Sequence, residues 1–248
     1  MGCLTDYKYE ITVTTYTEIN SPANRSSIDI IFGDGNKKNV PLSERINIGN
    51  STYYNRYTTT HIYPGPGTYR LEFYDPNRID GVRNMDYSVF TPFYVHTELQ
   101  ISPSKGFNHS PILLQPPIDF AQRGQVYEHN PNAYDPDGDS LSFTLIPPMQ
   151  NRDEDVFGYY EPTGINNFTL DNYTGELVWD YPDTVGIYNI AILVEEFRNG
   201  QRIGYIVRDM QIIVMPGNNH PPVIDPIDDL CVEAGGNAKL EVPLHASD

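Results

Sequence analysis

The chain has 248 residues, and its 16 basic and 33 acidic side chains give a formal net charge of −17. An acidic surface repels phosphate, which argues against nucleic acid as a partner, and no run approaches the ~18 apolar residues of a membrane-spanning helix. Two cysteines are too few for a disulfide framework, and 12% aromatic residues argue against a disordered chain.

Apolar and polar residues alternate along most of the chain, which is typical of strands that bury one face. In chain order, the alternating segments are YKYEITVTTY at 7–16 and the residues at 28–32, 69–73, 141–145, 177–179, 190–194 and 205–214. Glycine, proline, asparagine and aspartate separate these segments, and apolar residues at helical spacing are nearly absent. The sequence therefore predicts an all-β protein built from β-sandwiches.

An internal repeat predicts more than one domain. The motif NHSP at 108–111 resembles NHPP at 219–222, and the offset of 111 residues is a usual length for a β-sandwich. A weaker echo links GTY at 67–69 with GIY at 186–188.

From this repeat we expect one domain at 1–103, a second at 108–217 and the start of a third repeat at 219–248. Prolines at the junctions predict stiff, extended connections. The chain begins without the pattern of a signal peptide and ends within a strand-and-loop pattern, so we expect a segment of a longer protein.

The acidic segment NAYDPDGD at 132–139 is the strongest candidate for chemistry. Its carboxylates, Asp135, Asp137 and Asp139, would repel one another in a tight turn, and a hard cation would relieve that repulsion. Calcium prefers six to eight oxygen ligands at flexible angles. The loop is not an EF-hand, because Ser140 and Ile146 stand at its sixth and twelfth positions. An acidic β-turn without a metal explains the same residues.

Two further acids follow a strand that looks buried. Glu195 and Glu196 could complete a cation site beside the acidic turn. Salt bridges to Arg198 or Arg202 on a solvated surface explain them equally well.

Asparagines stand at both predicted junctions. Asn108 and Asn219 could each offer an amide oxygen to a metal that bridges two domains, or could be ordinary linker residues. Cys3 and Cys231 lie in different predicted segments, and the sequence does not pair them.

Aromatic residues are predicted mainly to pack. Tyr63, Tyr69 and Trp179 are expected in the core or at strand corners. A second group could stack on sugars or bury its rings within the sandwich: Tyr53, Tyr54, Tyr57, Tyr159 and Tyr160. Motifs for nucleophilic serine, zinc hydrolysis and phosphate binding are absent from the sequence, so we predict a protein that is not an enzyme.

Two sets of motifs resemble known families. IFGDG at 31–35, followed by THIYPGPGTY at 60–69, resembles PKD-like domains, with Phe32 where that family has tryptophan. DPDGDSL at 135–141, with TGELVW at 174–179 and VEE at 194–196, is similar to cadherin-like repeats.

The cadherin resemblance implies calcium at domain junctions. It assigns ligand roles to Asp135, Asp137 and Asp139, and the role of an acidic strand-end ligand to Glu195 or Glu196. Asn108 and Asn219 correspond to linker positions, although the usual D-x-N-D-N linker is absent.

The combination is similar to large secreted surface proteins of Bacteroidetes associated with gliding motility. Four segments carry this resemblance: NMDYSVFTPFYV at 84–95, NHSPILLQPPIDFA at 108–121, HNPNAYDPDGDSLSF at 129–143 and EEFRNGQRIGYIVRDMQIIV at 195–214. It implies an extracellular stalk or adhesion module that calcium stiffens, with a surface protein or polysaccharide as partner. The alternative is a polysaccharide- or protein-binding accessory module of a secreted hydrolase.

Overall fold

The computed structural model describes residues 7–163 and 167–217, together with the backbone of two short strands at 223–224 and 246–247. The prediction of an all-β protein is confirmed. A single 3₁₀ turn, Ser88–Phe90, interrupts the strands of the described part. Within these same ranges, no helix is long and apolar enough to cross a lipid bilayer.

The strands fall into two groups along the chain. The first group is β1 (Lys8–Glu18), β2 (Ser27–Ile31), β3 (Lys37–Pro41), β4 (Glu44–Gly49), β5 (Thr52–Ile62), β6 (Gly67–Asp75) and β7 (Phe93–Ile101). The second group is β8 (Ile112–Leu113), β9 (Ile118–Gln122), β10 (Tyr127–His129), β11 (Ala133–Tyr134), β12 (Ser140–Ile146), β13 (Met149–Asn151), β14 (Glu154–Asp155), β15 (Phe168–Leu170), β16 (Leu177–Trp179), β17 (Gly186–Arg198) and β18 (Gln201–Met215). Beyond them, β19 (Val223–Ile224) pairs antiparallel with β20 (Ala246–Ser247).

The first group forms a β-sandwich. One sheet has the order β1-β5-β4, and the facing strands have the order β3-β2-β6-β7. Side chains from alternate positions of each strand meet between the sheets, because successive side chains of a strand point to opposite faces. The buried members of this core are Ile28, Ile30, Phe32, Val40, Tyr57, Tyr63, Tyr69, Leu71, Phe73 and Ile101.

The glycine turn after β2 is held by a buried carboxylate. Asp34 Oδ2 lies 2.8 Å from His61 Nε2, and Asp34 Oδ1 accepts the backbone N–H of Asn36. Gly33 has φ of +83°, and a Cβ atom there would lie 2.6 Å from the backbone nitrogen of Arg70. Glycine is therefore required by both the left-handed backbone and the close approach of β6.

A stack of rings continues from this turn into the core. Phe32 lies parallel to His61 with ring centroids 4.0 Å apart, and Tyr63 meets His61 edge to face. Tyr69 packs on Tyr63, and its hydroxyl donates to the carbonyl of Gly65 at 2.8 Å. The predicted core and corner roles of the two tyrosines are confirmed.

The second group forms another sandwich, in which β10-β16-β15 faces β12-β17-β18. Trp179 is fully buried at its centre, as the sequence predicted, and packs edge to face on Tyr188. The Tyr188 hydroxyl donates to the carbonyl of Thr184, four residues earlier, just as Tyr69 does to Gly65. The sequence echo between GTY and GIY therefore encodes the same local structure.

The two sandwiches share one sheet. β7 pairs antiparallel with β18, with Leu99 opposite Gly204 and Thr97 opposite Ile206, so the order β12-β17-β18-β7-β6-β2-β3 is continuous. The two hydrophobic cores lie on either side of the predicted boundary near residue 103. The domain limits stay a prediction, and the third repeat, with Cys231, lies outside the described residues except for β19 and β20. Cys3 also lies outside them.

A network of buried polar side chains connects the two sandwiches beside this shared sheet. Arg78, from the loop after β6, donates to Asn189 Oδ1 at 2.6 Å and to Asp209 Oδ2 at 2.8 Å. The side chains of Arg78 and Asp209 are 3% and 4% exposed. Asn84 adds two bonds to the backbone of Asn189. These contacts fix one half of the chain against strands of the other.

Candidate cation site

The acidic turn connects β11 to β12 and is organised by its first carboxylate. Asp135 Oδ1 accepts the backbone N–H of Asp137 at 2.8 Å and that of Asp139 at 3.1 Å. Gly138 has φ of +81° and donates to the Asp135 carbonyl, which closes the turn. The other oxygen, Asp135 Oδ2, is buried and has no hydrogen-bond partner among the residues that the structure describes. An unpaired buried carboxylate oxygen is costly, and a cation would satisfy it.

The strand pairing of β12 with β17 brings a glutamate to this turn. Glu196 lies opposite Leu141, just after the acidic turn, and is 1% exposed. Asp135, Asp139 and Glu196 each offer a carboxylate oxygen, and these three atoms lie within 4.8 Å of one another. The structure thus brings together three of the predicted ligands.

The linker asparagine joins the same cluster. Asn108 Nδ2 donates to Glu196 Oε2 at 2.5 Å, and Asn108 is itself buried. Its amide oxygen accepts from Arg198 Nη2 at 3.0 Å. Asn219, the matching residue of the second repeat, lies outside the described residues.

Burial, together with the neighbouring carboxylates of Asp135, Asp139 and Asp137, raises the pKa of Glu196 to about 7. The hydrogen bond from Asn108 opposes these effects. A carboxylate in this position resists ionisation unless a positive charge accompanies it. The electrostatics of the cluster therefore favour uptake of either a proton or a cation.

Arg198 already supplies one positive charge. It donates to both carboxylate oxygens of Asp139, at 2.8 and 2.5 Å, and lies 3.4 Å from Asp137 Oδ2. It also donates to the carbonyls of Lys105 and Phe107, at 2.7 and 2.9 Å. The guanidinium thus ties the segment between the sandwiches to the acidic turn, and it competes with a metal for Asp139.

Asp137 points toward the linker and stays outside the group of three. It accepts the backbone N–H of His109 at 2.7 Å and contacts His109 Nδ1 at 2.9 Å. Burial alone would raise the pKa of Asp137, but the His109 bonds and the charge of Arg198 hold it below its usual value. That all three aspartates share one cation stays a prediction. In this structure the partner of Asp137 is His109.

The two glutamates have different surroundings. Glu195 lies 3.2 Å from Arg202 Nη1, and Arg202 also pairs with Glu98 at 3.0 Å. The salt-bridge interpretation of Glu195 therefore describes its surroundings, whereas Glu196 faces the acidic turn. Alternation along β17 explains the difference, because neighbouring side chains point to opposite faces.

The donor set suits calcium. Carboxylate and amide oxygens are the ligands of a hard cation, and the orphaned Asp135 Oδ2 is available without breaking any existing bond. Asp135, Asp139 and Glu196 would hold the ion, and Asn108 Oδ1 could join after releasing Arg198.

Sequence reasoning missed the roles of Arg198 and His109 at this site. The sequence predicts Arg198 only as a partner of the glutamates, whereas in the structure it binds Asp139, 59 residues earlier. No local pattern signals this pair, since the β12–β17 register creates it. His109 directly follows Asn108 in the repeated NHSP motif, which was the available signal.

Among the tyrosines considered for sugar stacking, Tyr57 is 1% exposed and donates to the carbonyl of Arg25. Tyr54 packs edge to face on Tyr16, and Tyr53 lies beneath Arg45. Tyr160 is half exposed. Burial within the sandwich therefore accounts for Tyr57, as the second interpretation predicted.

Comparison with curated proteins gives a distant likeness. No family model matches the chain. The chain is similar to Integrin beta-like protein A of Dictyostelium discoideum, with 25% identity over 180 residues. The match covers 70% of this chain and 8% of the relative, so the chain spans a small part of that protein.

Proposed function

We propose that this chain is a non-catalytic, extracellular repeat module that acts as a stalk or adhesion segment, and that calcium stiffens the junction between its sandwiches. The observation that carries the proposal is the convergence of Asp135, Asp139 and Glu196 to within 4.8 Å, beside the linker residue Asn108. The distant likeness to a protein named integrin beta-like supports an adhesion role. The resemblances to PKD-like, cadherin-like and Bacteroidetes surface proteins support the same setting.

The location of the cluster gives calcium a mechanical effect. Asn108 belongs to the segment that joins the sandwiches and contacts Glu196 of the cluster. The carbonyls of Lys105 and Phe107, from the same segment, accept from Arg198, which binds Asp139. A cation on Glu196 and Asp135 would hold β17 and the acidic turn together at the base of this segment. It would add to the shared sheet and the buried Arg78–Asp209 pair, which resist bending without a metal.

Calcium binding tests the assignment of ligands. Isothermal titration with calcium chloride should give a binding heat for the wild type and none for Asp135→Asn or Glu196→Gln. Asp171→Asn is the matched control, because Asp171 also accepts backbone N–H groups in a turn, at 171–174, but lies outside the cluster. Equal affinity in the wild type and Glu196→Gln would contradict the assignment.

Small-angle scattering tests the mechanical effect. With calcium, the maximum dimension should be unchanged, and the features of the high-angle scattering profile should become more pronounced, because the two sandwiches adopt one relative arrangement.

A second function would be favoured by a different result. Retention on insoluble polysaccharides, lost on substitution of Tyr160, would indicate an accessory binding module.

A further inference from the structure

A long groove runs between β1 and the face of the shared sheet formed by β6, β7 and β18. Its volume is about 1780 Å³. Pockets for small molecules have volumes of roughly 300–1,000 Å³, so this groove has room for a longer ligand.

The walls of the groove are apolar residues that the sandwich leaves half-buried. Ile11 and Val13 line it from β1, and Phe93, Val95 and Leu99 line it from β7. All five pack against the first hydrophobic core but keep part of their surface accessible. These five residues therefore present apolar surface to the groove.

The groove also follows an unpaired strand edge. In the described part of the chain, β1 pairs only with β5, so alternate N–H and C=O groups along its other edge have no strand partner. Consecutive residues from Lys8 to Glu18 line the groove, including those whose side chains point outward. An edge strand of eleven residues is a template for another extended chain.

A buried arginine lines the groove and has no anionic partner in the described part of the chain. Arg208 of β18 is 8% exposed, and its Nη1 has no hydrogen-bond partner among the described residues. Its Nη2 donates to the carbonyl of Gln115. The neighbouring carboxylate of Asp209 is already held by Arg78 and Asn189.

The hydroxyl of Tyr16, on β1, affects the pKa of Arg208. Burial lowers the pKa of Arg208 to about 10, and the Tyr16 hydroxyl acts in the opposite direction. Both residues line the groove, Tyr16 from β1 and Arg208 from β18 of the shared sheet. Arg208 forms no ion pair with a carboxylate of the described residues, so an external anion would neutralise a buried charge that this part of the fold leaves unpaired.

We propose that the groove binds an extended, acidic segment of a partner protein, which pairs with the free edge of β1 and directs a carboxylate to Arg208. Main-chain bonds to β1 supply affinity, apolar side chains at alternate positions fill the groove, and the carboxylate fixes the register. The proposal rests on residues other than the carboxylates of the cation site, since none of Asp135, Asp139 and Glu196 lines the groove, although their neighbour Asn108 does.

Selection from a displayed library of random dodecapeptides tests the proposal, performed once in EDTA and once in calcium. We expect enriched sequences with apolar residues at alternate positions and one aspartate or glutamate in phase with them. Fluorescence anisotropy of the best labelled peptide should show affinity at least about tenfold weaker for Arg208→Met. Arg56→Met, on an exposed arginine outside the groove, should bind as the wild type does.

Two ligand variants distinguish strand addition from simple charge attraction. Replacing the acidic residue of the peptide by its amide should weaken binding to the wild type but not to Arg208→Met. N-methylation of alternate backbone positions should abolish binding when the methylated groups face β1.

Three results would overturn the proposal. The first is that no peptide sequence is enriched in either EDTA or calcium, and the second is that the enriched peptides lack an acidic residue. The third is that the labelled peptide binds Arg208→Met as tightly as it binds the wild type. Concentration-dependent dimers that dissociate in Arg208→Met would make a second copy of this chain the occupant, which also contradicts a partner protein. Because the library is selected with and without calcium, failure here is separable from failure of the cation site.

Discussion

The amide nitrogen of Asn108 lies 2.5 Å from a carboxylate oxygen of Glu196, a residue 88 positions later that is almost fully buried. This bond connects the segment between the two sandwiches to the acid that faces the turn at 135–139. The linker and the candidate cation site are therefore one structural unit.

Glu196→Gln should stabilise the protein in EDTA, because it removes a buried negative charge beside Asp135 and Asp139 while keeping a polar group near Asn108. We expect a gain of about 1 kcal/mol, or roughly 2–4 °C in the unfolding midpoint. In calcium the order should reverse, since only the wild type retains the ligand. A midpoint for Glu196→Gln that lies below the wild type in EDTA would contradict the account of repulsion.

Arg198→Met should destabilise the protein without calcium by about 2–4 kcal/mol, because Asp139 loses both charged hydrogen bonds while its side chain is only 5% exposed. Calcium should recover more stability in this variant than in the wild type, since the competing guanidinium is gone. Chemical unfolding with and without calcium measures both values. An equal calcium effect in the two proteins would mean that Arg198 does not compete for the site.

Arg78→Met should cost about 3–5 kcal/mol, because it leaves Asp209 buried without its cation. The matched control is Arg202→Met, which breaks the more exposed pairs with Glu98 and Glu195 and should cost less than about 1 kcal/mol. Urea unfolding would compare the two. Similar losses in both variants would argue against a clamp at the junction.

Arg208→Met should raise the free energy of unfolding in the absence of ligand by about 1–4 kcal/mol, because a buried charge without a carboxylate partner is replaced by an apolar chain of similar length. Thermal unfolding measures the change. A destabilised Arg208→Met protein would show that Arg208 is satisfied within the fold and would remove the electrostatic basis for an external anion.

Acid should weaken the first sandwich through Asp34. Burial opposes its ionisation, but the bonds from His61 and Asn36 prevail and lower the pKa of Asp34 to about 2. A carboxyl whose folded pKa is depressed contributes stability above its unfolded pKa near 4, and this is lost as the pH falls toward 2. The contribution is about 2 kcal/mol.

Asp34→Asn removes this contribution, so its stability should change less than that of the wild type between pH 4 and pH 2. The exposed Asp29→Asn serves as control. Identical acid profiles for the wild type and Asp34→Asn would contradict the assignment.

Much of the fold could be predicted because each strand alternates in sequence. Ile28 and Ile30 are two positions apart in the sequence, and both point into the same core. Leu71 and Phe73 do the same, and this period of two is visible in the sequence. The similar corners made by Tyr69 and Tyr188 follow from a repeated glycine motif.

What could not be predicted depends on pairing between distant strands. Only the register of β12 against β17 shows that Glu196 faces the turn, while Glu195 points to Arg202. The pairing of β7 with β18, which joins the sandwiches, leaves no periodic signal in either strand. In the sequence, Arg208 is one polar residue in an apolar strand. Only the fold shows that it is buried and lines the same groove as the free edge of β1.

The measurement that tests the account most directly is the thermal unfolding of the wild type in excess EDTA and then in millimolar calcium, with magnesium as control. Binding to the native state alone must raise the midpoint as calcium increases. We predict a rise specific to calcium that disappears in Glu196→Gln. The same midpoint in EDTA and in calcium would contradict a metal site at Asp135, Asp139 and Glu196, and would leave these acids with purely structural roles.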